Sequence, residues 1–283
     1  MINSQTLSLH RISELPFDAD AEIFRHYPGF KLGVTSCVSY YARLMFPLVQ
    51  EVIRNEPSQS SWILTAPPIT AETPSAANLL GHALFELYLQ ACHSPESREL
   101  SLIDLRHDRE SSWADWKDPA KSQDYAKLDF ADRVNEHERL SRQLLLNDAF
   151  QGHPVLFVND IRVTGAQEHA MQRYFEAAGA ACVRWLYVIV VDAEIGRKEP
   201  AIEWQLNFVP FDELLRMVSR EQIEFTGKCA QRLMSLSLTE LEQVVRALNS
   251  KRRTSLLELV ERNRFESMDG YREQVKLLRS LGE

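Results

Sequence analysis

The chain of 283 residues lacks the features that mark membrane, secreted and zinc-binding proteins. It has no run of about eighteen apolar residues, which a membrane-spanning helix needs. Its N-terminus has no basic start followed by an apolar segment, so no secretion signal is predicted. The four cysteines are widely spaced and form no C-x-x-C pair, which argues against a zinc knuckle and a disulfide framework. These absences predict a cytoplasmic protein with no membrane partner.

Positive charge is also scarce. The chain has 32 lysines and arginines against 40 aspartates and glutamates, and its formal net charge is −8. Binding to nucleic acids depends largely on cations that neutralise phosphates, so this balance disfavours a nucleic-acid partner. The basic triplet at residues 251–253 is predicted to be a solvated helix connection, and a nucleic-acid contact is the less favoured reading. An anionic ligand would need backbone amides, local cations or a metal.

The apolar pattern predicts an α/β protein. A hydrophobic content of 45% and a charged content of 25% are typical of globular domains, and the length suffices for one α/β core with an appendage. Short apolar runs that alternate with helical spacing favour a parallel sheet between helices. The predicted strands cover residues 7–12, 61–65, 100–105, 155–158, 182–191 and 201–208.

The stretch from Val155 to Gln167 is the segment whose pattern predicts chemistry. A buried strand ends in Asn159 and Asp160, and Thr164-Gly165 then opens a helix. Free amides at a helix start favour a phosphate, and glycine permits close approach. Asp160 is placed to accept hydrogen bonds from sugar hydroxyls, or to hold a divalent ion directly or indirectly. The alternative interpretation is that these residues form an ordinary buried strand followed by a glycine-containing turn.

This stretch resembles the signature for phosphoribosyl pyrophosphate (PRPP) in the type I phosphoribosyltransferases. The resemblance implies a three-layer parallel-sheet core, with Asn159 and Asp160 as catalytic residues on the ribose hydroxyls. It also implies that the 5-phosphate lies in a loop formed by Val163, Thr164, Gly165, Ala166 and Gln167. The sequence of the motif is most similar to that of orphan phosphoribosyltransferase-like proteins of bacterial tellurite-resistance and stress operons.

Two residues depart from the family pattern. Asn159 replaces the first acid, so a neutral amide stands where relatives have a carboxylate. Val163 takes the position at which 6-oxopurine phosphoribosyltransferases have an acid that works on the base, which disfavours hypoxanthine or guanine as substrate.

A second loop follows the strand at residues 61–65. In the family, the loop at this place holds pyrophosphate, which would assign Thr65, Ala66 and Pro67 to that role. The loop has no arginine or lysine, however, where many relatives have one. A rigid Pro-Pro turn explains the same residues equally well.

Residues 106–127 form a long polar stretch without periodicity. Stretches of this kind are usually functional or mobile. The resemblance implies a lid that closes over PRPP, in which Arg106, Arg109, Lys117 and Lys121 neutralise pyrophosphate. A solvated excursion is the alternative.

Residues 1–210 are therefore predicted to form a phosphoribosyltransferase-like domain, and residues 211–283 a helical C-terminal extension. The expected activity is Mg²⁺-dependent transfer of 5-phosphoribose from PRPP to, or from, a nitrogenous base or nucleoside-like metabolite. A sensor or regulatory subunit that binds PRPP or a nucleotide without turnover is the alternative. The resemblance implies a homodimer, and the C-terminal helices are a candidate surface for a protein partner.

Overall fold

A computed structural model describes residues 2–18, 20–55, 61–92, 99–106, 144, 147–199, 201–268 and 270–282. Its strands are β1 (Asn3–Ile12), β2 (Trp62–Thr65), β3 (Leu100–Leu102), β4 (Pro154–Arg162) and β5 (Cys182–Val191). These described strands form one sheet in the spatial order β1-β5-β4-β2-β3. Every pairing is parallel, so the carboxyl ends of all the strands meet at one edge. Ligands bind at this edge in open parallel sheets.

Helices cover the sheet and form most of the rest of the described chain. In chain order they are α1 (Glu22–Arg25), α2 (Tyr27–Leu32), α3 (Thr35–Asn55), α4 (Ala76–Ala91), α5 (Ala166–Ala177), α6 (Ala193–Lys198), α7 (Ile202–Asn207), α8 (Phe211–Arg220), α9 (Gly227–Met234), α10 (Leu238–Ala247), α11 (Ser250–Arg262) and α12 (Arg272–Gly282). The predicted α/β class with a parallel sheet is confirmed. Within the described residues, no helix has the length and apolar character needed to cross a membrane.

Strand β4 is buried on both faces because its side chains alternate between two hydrophobic clusters. Val155 and Phe157 belong to the cluster that contains Phe175 of α5. Leu156 and Val158 belong to the larger cluster, to which α3 and α4 also contribute. This alternation explains the continuous apolar run in the sequence. It also sends the next two side chains, at positions 159 and 160, towards different surroundings.

The helices from α8 onward are packed onto the same core. The larger cluster runs from Ile12 in β1 to Leu278 in α12 and includes residues on both sides of position 210. The predicted division into residues 1–210 and 211–283 stays a prediction. The packing does place α9 and α11 against the carboxyl edge of the sheet, where they contact the loop after β2.

Two sequence predictions for this part of the chain are wrong. Residues 201–208 contain helix α7 and no strand, because Ile202 and Leu206 are buried at a spacing of four residues while Trp204 and Phe208 are exposed. The triplet at residues 251–253 lies inside α11 and is not a connection. The guanidinium of Arg252 there donates to the carbonyl oxygens of Val218, Ser219 and Glu221 and so caps the end of α8.

Candidate functional site

The two polar residues at the end of β4 lie at the carboxyl edge of the sheet and are buried. Asn159 Nδ2 donates to Gln167 Oε1 at 2.8 Å, which ties the strand to the first turn of α5. The backbone amide of Asp160 donates to Asn159 Oδ1 at 2.9 Å. Asp160 Oδ1 accepts a hydrogen bond from the amide of Ile161 at 2.8 Å. The structure therefore brings Asn159, Asp160 and Gln167 together.

The loop between β4 and α5 has the geometry of an anion site. Gly165 has a φ of +79°, a left-handed conformation that favours glycine, and its position as N-cap supplies no side-chain hydrogen bond to the helix. Thr164 Oγ1 accepts a longer hydrogen bond, 3.4 Å, from the amide of Ala166. Val163, the first residue of the loop, is buried. Amides and the dipole at a helix start favour an anion, so the start of α5 is a candidate site for a phosphate.

An arginine that the motif does not assign lies beside this loop. A Cβ atom at Gly165 would be 3.3 Å from Arg162 Nε, so the guanidinium is in contact with the loop. Arg162 Nε also lies 3.1 Å from Glu168 Oε2 in α5. Burial raises the pKa of Glu168, and Arg162 opposes that shift. The loop thus has a cation next to it in addition to its amides.

A lysine from the N-terminal part of the chain is paired with Asp160. Lys31 Nζ in α2 forms an ion pair with Asp160 Oδ2 and a second one, at 3.0 Å, with Glu203 Oε1 in α7. The side chains of Lys31 and Asp160 are 13% and 12% exposed, so water screens their pair only weakly. Burial by itself lowers the pKa of Lys31, but the two carboxylates more than reverse this and raise it above the ordinary lysine range.

Two further groups complete the charge cluster of Lys31, Asp160, Glu203, Tyr27 and Lys228. Tyr27 is fully buried, and burial followed by the charge of Asp160 raises the pKa of its hydroxyl. Lys228, in the first turn of α9, is half-buried. Burial lowers its pKa; the carboxylates of Glu203 and Asp160 act against that shift, and Lys31 acts with it. The four charged groups meet at the end of β4 from four separate elements.

The loop after β2 is tightly held. Thr65 and Ala66 are buried, and the carbonyl oxygen of Pro67 accepts a hydrogen bond from Asn78 Nδ2 at 2.7 Å. The hydroxyl of Thr65 is buried and has no hydrogen-bond partner among the described residues. Arg106, the one described residue among the four predicted lid cations, forms a backbone bridge with Ile69. The structure therefore brings the start of the predicted lid next to this loop.

Most of the predicted lid, including Arg109, Lys117 and Lys121, lies outside the described residues. The side chain of Arg106 is 59% exposed and lies 3.8 Å from Asp104 Oδ2. Its assignment to pyrophosphate therefore stays a prediction.

The C-terminal helices contact the loop after β2 directly. Asn263, at the end of α11, is fully buried and donates to Thr73 Oγ1 at 2.6 Å. The amide of Gly227, at the start of α9, donates to the carbonyl oxygen of Pro74 at 3.4 Å. The hydroxyl of Thr226 donates to the carbonyl oxygen of Lys31 at 2.8 Å. Helix α9 is thus fixed between the loop and the charge cluster.

The donors at this site do not fit a magnesium ion held directly by the protein. Asp160 Oδ2 is paired with an ammonium group, and Asp160 Oδ1 accepts a backbone hydrogen bond. Asn159, the other residue of the pair, is a neutral amide. Among the residues with described positions, no group of three or more His, Cys, Asp or Glu side chains is arranged to hold a metal.

Sequence reasoning missed Tyr27, Lys31, Glu203 and Lys228. Lys31 is 129 residues from Asp160 and 172 from Glu203 along the chain. These four residues lie in no motif, and nothing in their local sequence distinguishes them from ordinary helix residues. The sequence contains one weak indication of such residues. The loop after β2 has no lysine or arginine, so an anion site there would need cations from other parts of the chain.

The fold and the site together define a class: an α/β protein with a type I phosphoribosyltransferase-like core. Residues 4–278 match the profile of the family described as PRTase ComF-like, and the chain belongs to this family of phosphoribosyltransferase-type proteins. The match includes both the sheet and the C-terminal helices. No curated protein matches the chain.

Proposed function

We propose that the protein binds PRPP and transfers its 5-phosphoribose to, or from, a nitrogenous base or nucleoside-like metabolite. The observation that carries this proposal is the position of Asp160, three residues before the loop at residues 163–167 and near the carboxyl end of strand β4. Only four residues of the chain separate Asp160 from Gly165 at the start of α5, so the carboxylate and the helix start are close neighbours in the sequence. Membership in the family supports transfer of phosphoribosyl groups in general.

In this proposal each part of the site has one task. The amides at the start of α5 and Arg162 bind the 5-phosphate, and Asp160 and Asn159 accept hydrogen bonds from the ribose hydroxyls. Lys31 orients Asp160 through their ion pair. When the bond from C1 to the pyrophosphate oxygen breaks, the electron pair leaves with pyrophosphate and positive charge develops on the ribose. Fixed positions of the two reactants and of the surrounding charges lower the barrier to this step.

We also propose that Mg²⁺ enters the site as the counter-ion of PRPP. It would neutralise charge on the pyrophosphate group. The protein residues described above do not form a direct coordination sphere for it, so its contacts would be made mainly by the phosphates of the ligand.

Calorimetric titration of the purified protein with PRPP and Mg²⁺ tests the proposal, with Asp160→Asn as the variant. The change keeps the shape of the side chain, removes its negative charge and replaces one acceptor oxygen with an NH2 donor. Loss of a charged hydrogen bond weakens binding by about tenfold to a hundredfold. Saturable binding to the wild type and this loss in the variant are the expected results.

Asp212→Asn is the matched control, because it makes the same chemical change at an exposed position in the first turn of α8. Its affinity for PRPP should equal that of the wild type. Absence of PRPP binding to the wild type would overturn the proposal and would direct attention to another phosphorylated ligand.

A second candidate function is a sensor that binds PRPP or a nucleotide without turnover. It is favoured by Asn159, whose amide bonds Gln167 where the family pattern has a carboxylate. Asn159→Asp separates the two functions in an assay of pyrophosphate release from PRPP. Under the sensor function, the wild type is nearly inactive and the variant gains activity. If the protein is an enzyme, the wild type already releases pyrophosphate and the variant is no more active.

The remaining expectations extend the same proposal. The protein would act in the cytoplasm as a homodimer, and its C-terminal helices would present a surface to a protein partner. Its relationship to the tellurite-resistance and stress operons also stays a prediction. Chromatography with light scattering at micromolar protein concentration measures the oligomeric state directly.

A further inference from the structure

The loop that the resemblance assigns to pyrophosphate has no cation of its own. Residues 65–74 include neither lysine nor arginine. Pyrophosphate carries several negative charges, and binding it in a partly buried site requires opposite charges nearby. The required cations must therefore come from elements other than this loop.

Helix α9 begins beside this loop and has a lysine in its first turn. Gly227 bonds the carbonyl oxygen of Pro74, at the end of the loop, and Thr226 bonds the carbonyl oxygen of Lys31. Lys228 is the next residue. Its backbone is therefore fixed between the loop after β2 and the ion pair of Lys31 with Asp160.

The positive charge of Lys228 is not neutralised by a direct ion pair. Lys31 is within ion-pair distance of both nearby carboxylates, Asp160 and Glu203. Lys228 is half-buried, and it forms no ion pair within 4.0 Å among the residues whose positions are described. Burial lowers its pKa, and the positive charge of Lys31 adds to this. An ammonium group in these surroundings is stabilised by an anionic ligand.

We propose that Lys228 binds the pyrophosphate group of the ligand, so that a C-terminal helix completes the pyrophosphate subsite. This inference rests on the proposed function, because it assumes a phosphoribosyl ligand at Asp160. As the C1–O bond breaks and the electron pair moves to pyrophosphate, the ammonium of Lys228 neutralises the growing charge. No proton transfer is needed at this position.

The test compares three probes on one protein by calorimetry: PRPP with Mg²⁺, inorganic pyrophosphate with Mg²⁺, and ribose 5-phosphate. Lys228→Met keeps most of the length of the side chain and removes its charge. We expect it to weaken binding of PRPP and of pyrophosphate by about tenfold or more, the usual loss for a charge-assisted hydrogen bond. Binding of ribose 5-phosphate should change by less than about twofold, because this probe lacks the pyrophosphate group.

Lys251→Met is the matched control, since Lys251 is exposed in the first turn of α11 and its loss changes the net charge equally. All three affinities should remain at their wild-type values. Ribose 5-phosphate also serves as the folding control, because a variant that still binds it has an intact site at α5.

Three results would overturn the assignment while leaving the proposed function in place. The first is unchanged PRPP binding in Lys228→Met. The second is an equal loss of affinity for PRPP and for ribose 5-phosphate in that variant. The third is a wild type that binds PRPP and ribose 5-phosphate with the same affinity. A wild type that binds neither sugar contradicts the proposed function itself, so the two failures are distinguishable.

Discussion

Gly196→Ala should destabilise the protein and weaken phosphate binding at once. Gly196 lies inside α6, and a Cβ atom there would be 2.1 Å from the carbonyl oxygen of Val163 and 2.9 Å from its carbonyl carbon. Backbone atoms cannot rotate away as a flexible side chain does, so α6 or the phosphate loop must move. Overpacking of this kind costs about 3 kcal/mol, the upper end of the usual range. Urea unfolding measures the stability, and titration with ribose 5-phosphate measures the binding.

Gly81→Ala provides the matched control for this prediction. Gly81 is also inside a helix, α4, but the nearest atom to its added Cβ would be the Cβ of Ala66 at an ordinary 3.8 Å. Alanine is favoured over glycine in helices, so the control should gain about 0.5–1 kcal/mol. If Gly196→Ala were as stable as the wild type, the close packing of α6 on Val163 would be disproved.

Lys31→Met should lower the free energy of unfolding by about 3 kcal/mol, because it leaves the buried carboxylate of Asp160 without its ammonium partner. Asp160 is 12% exposed and loses its ammonium partner outright, whereas Glu203, at 39%, regains part of its hydration. The expected loss is therefore at the lower end of the range of about 3–5 kcal/mol that is usual when one partner of a buried ion pair is removed. Since the pKa of Lys31 is raised, its charge stabilises the fold throughout the neutral range and is lost only in strong alkali. The deficit should be constant between about pH 7 and 9, as urea unfolding at both values would establish.

The control for this change is Lys276→Met, which breaks an exposed pair with Glu273 at 2.9 Å in α12. Exposed pairs contribute little, so its effect should remain within about 0.5 kcal/mol. The double variant of Lys31→Met with Asp160→Asn should recover part of the loss, because the unpaired buried charge is then gone. Equal losses in Lys31→Met and Lys276→Met would show that the pair of Lys31 with Asp160 is not a buried interaction.

Local features of this chain were predictable from the sequence. The unit from β4 through Gly165 to α5 is continuous in sequence, so its strand, its turn and its helix start each leave a local pattern. Helix α3 has a local pattern of the same kind, because its buried residues, such as Val38, Met45 and Val49, recur at helical spacing. The error at residues 201–208 arose because exposed Trp204 and Phe208 supplied the aromatic content that favours strands.

The sequence by itself determined the class of the protein and the unit that holds the predicted 5-phosphate and ribose sites, since both depend on neighbours along the chain. Only the tertiary structure decided that Lys31 pairs with Asp160 and that α9 brings Lys228 towards the loop after β2. The physical reason is that an ion pair depends on distance in space and on burial, and neither is recorded in the separation of two residues along the chain.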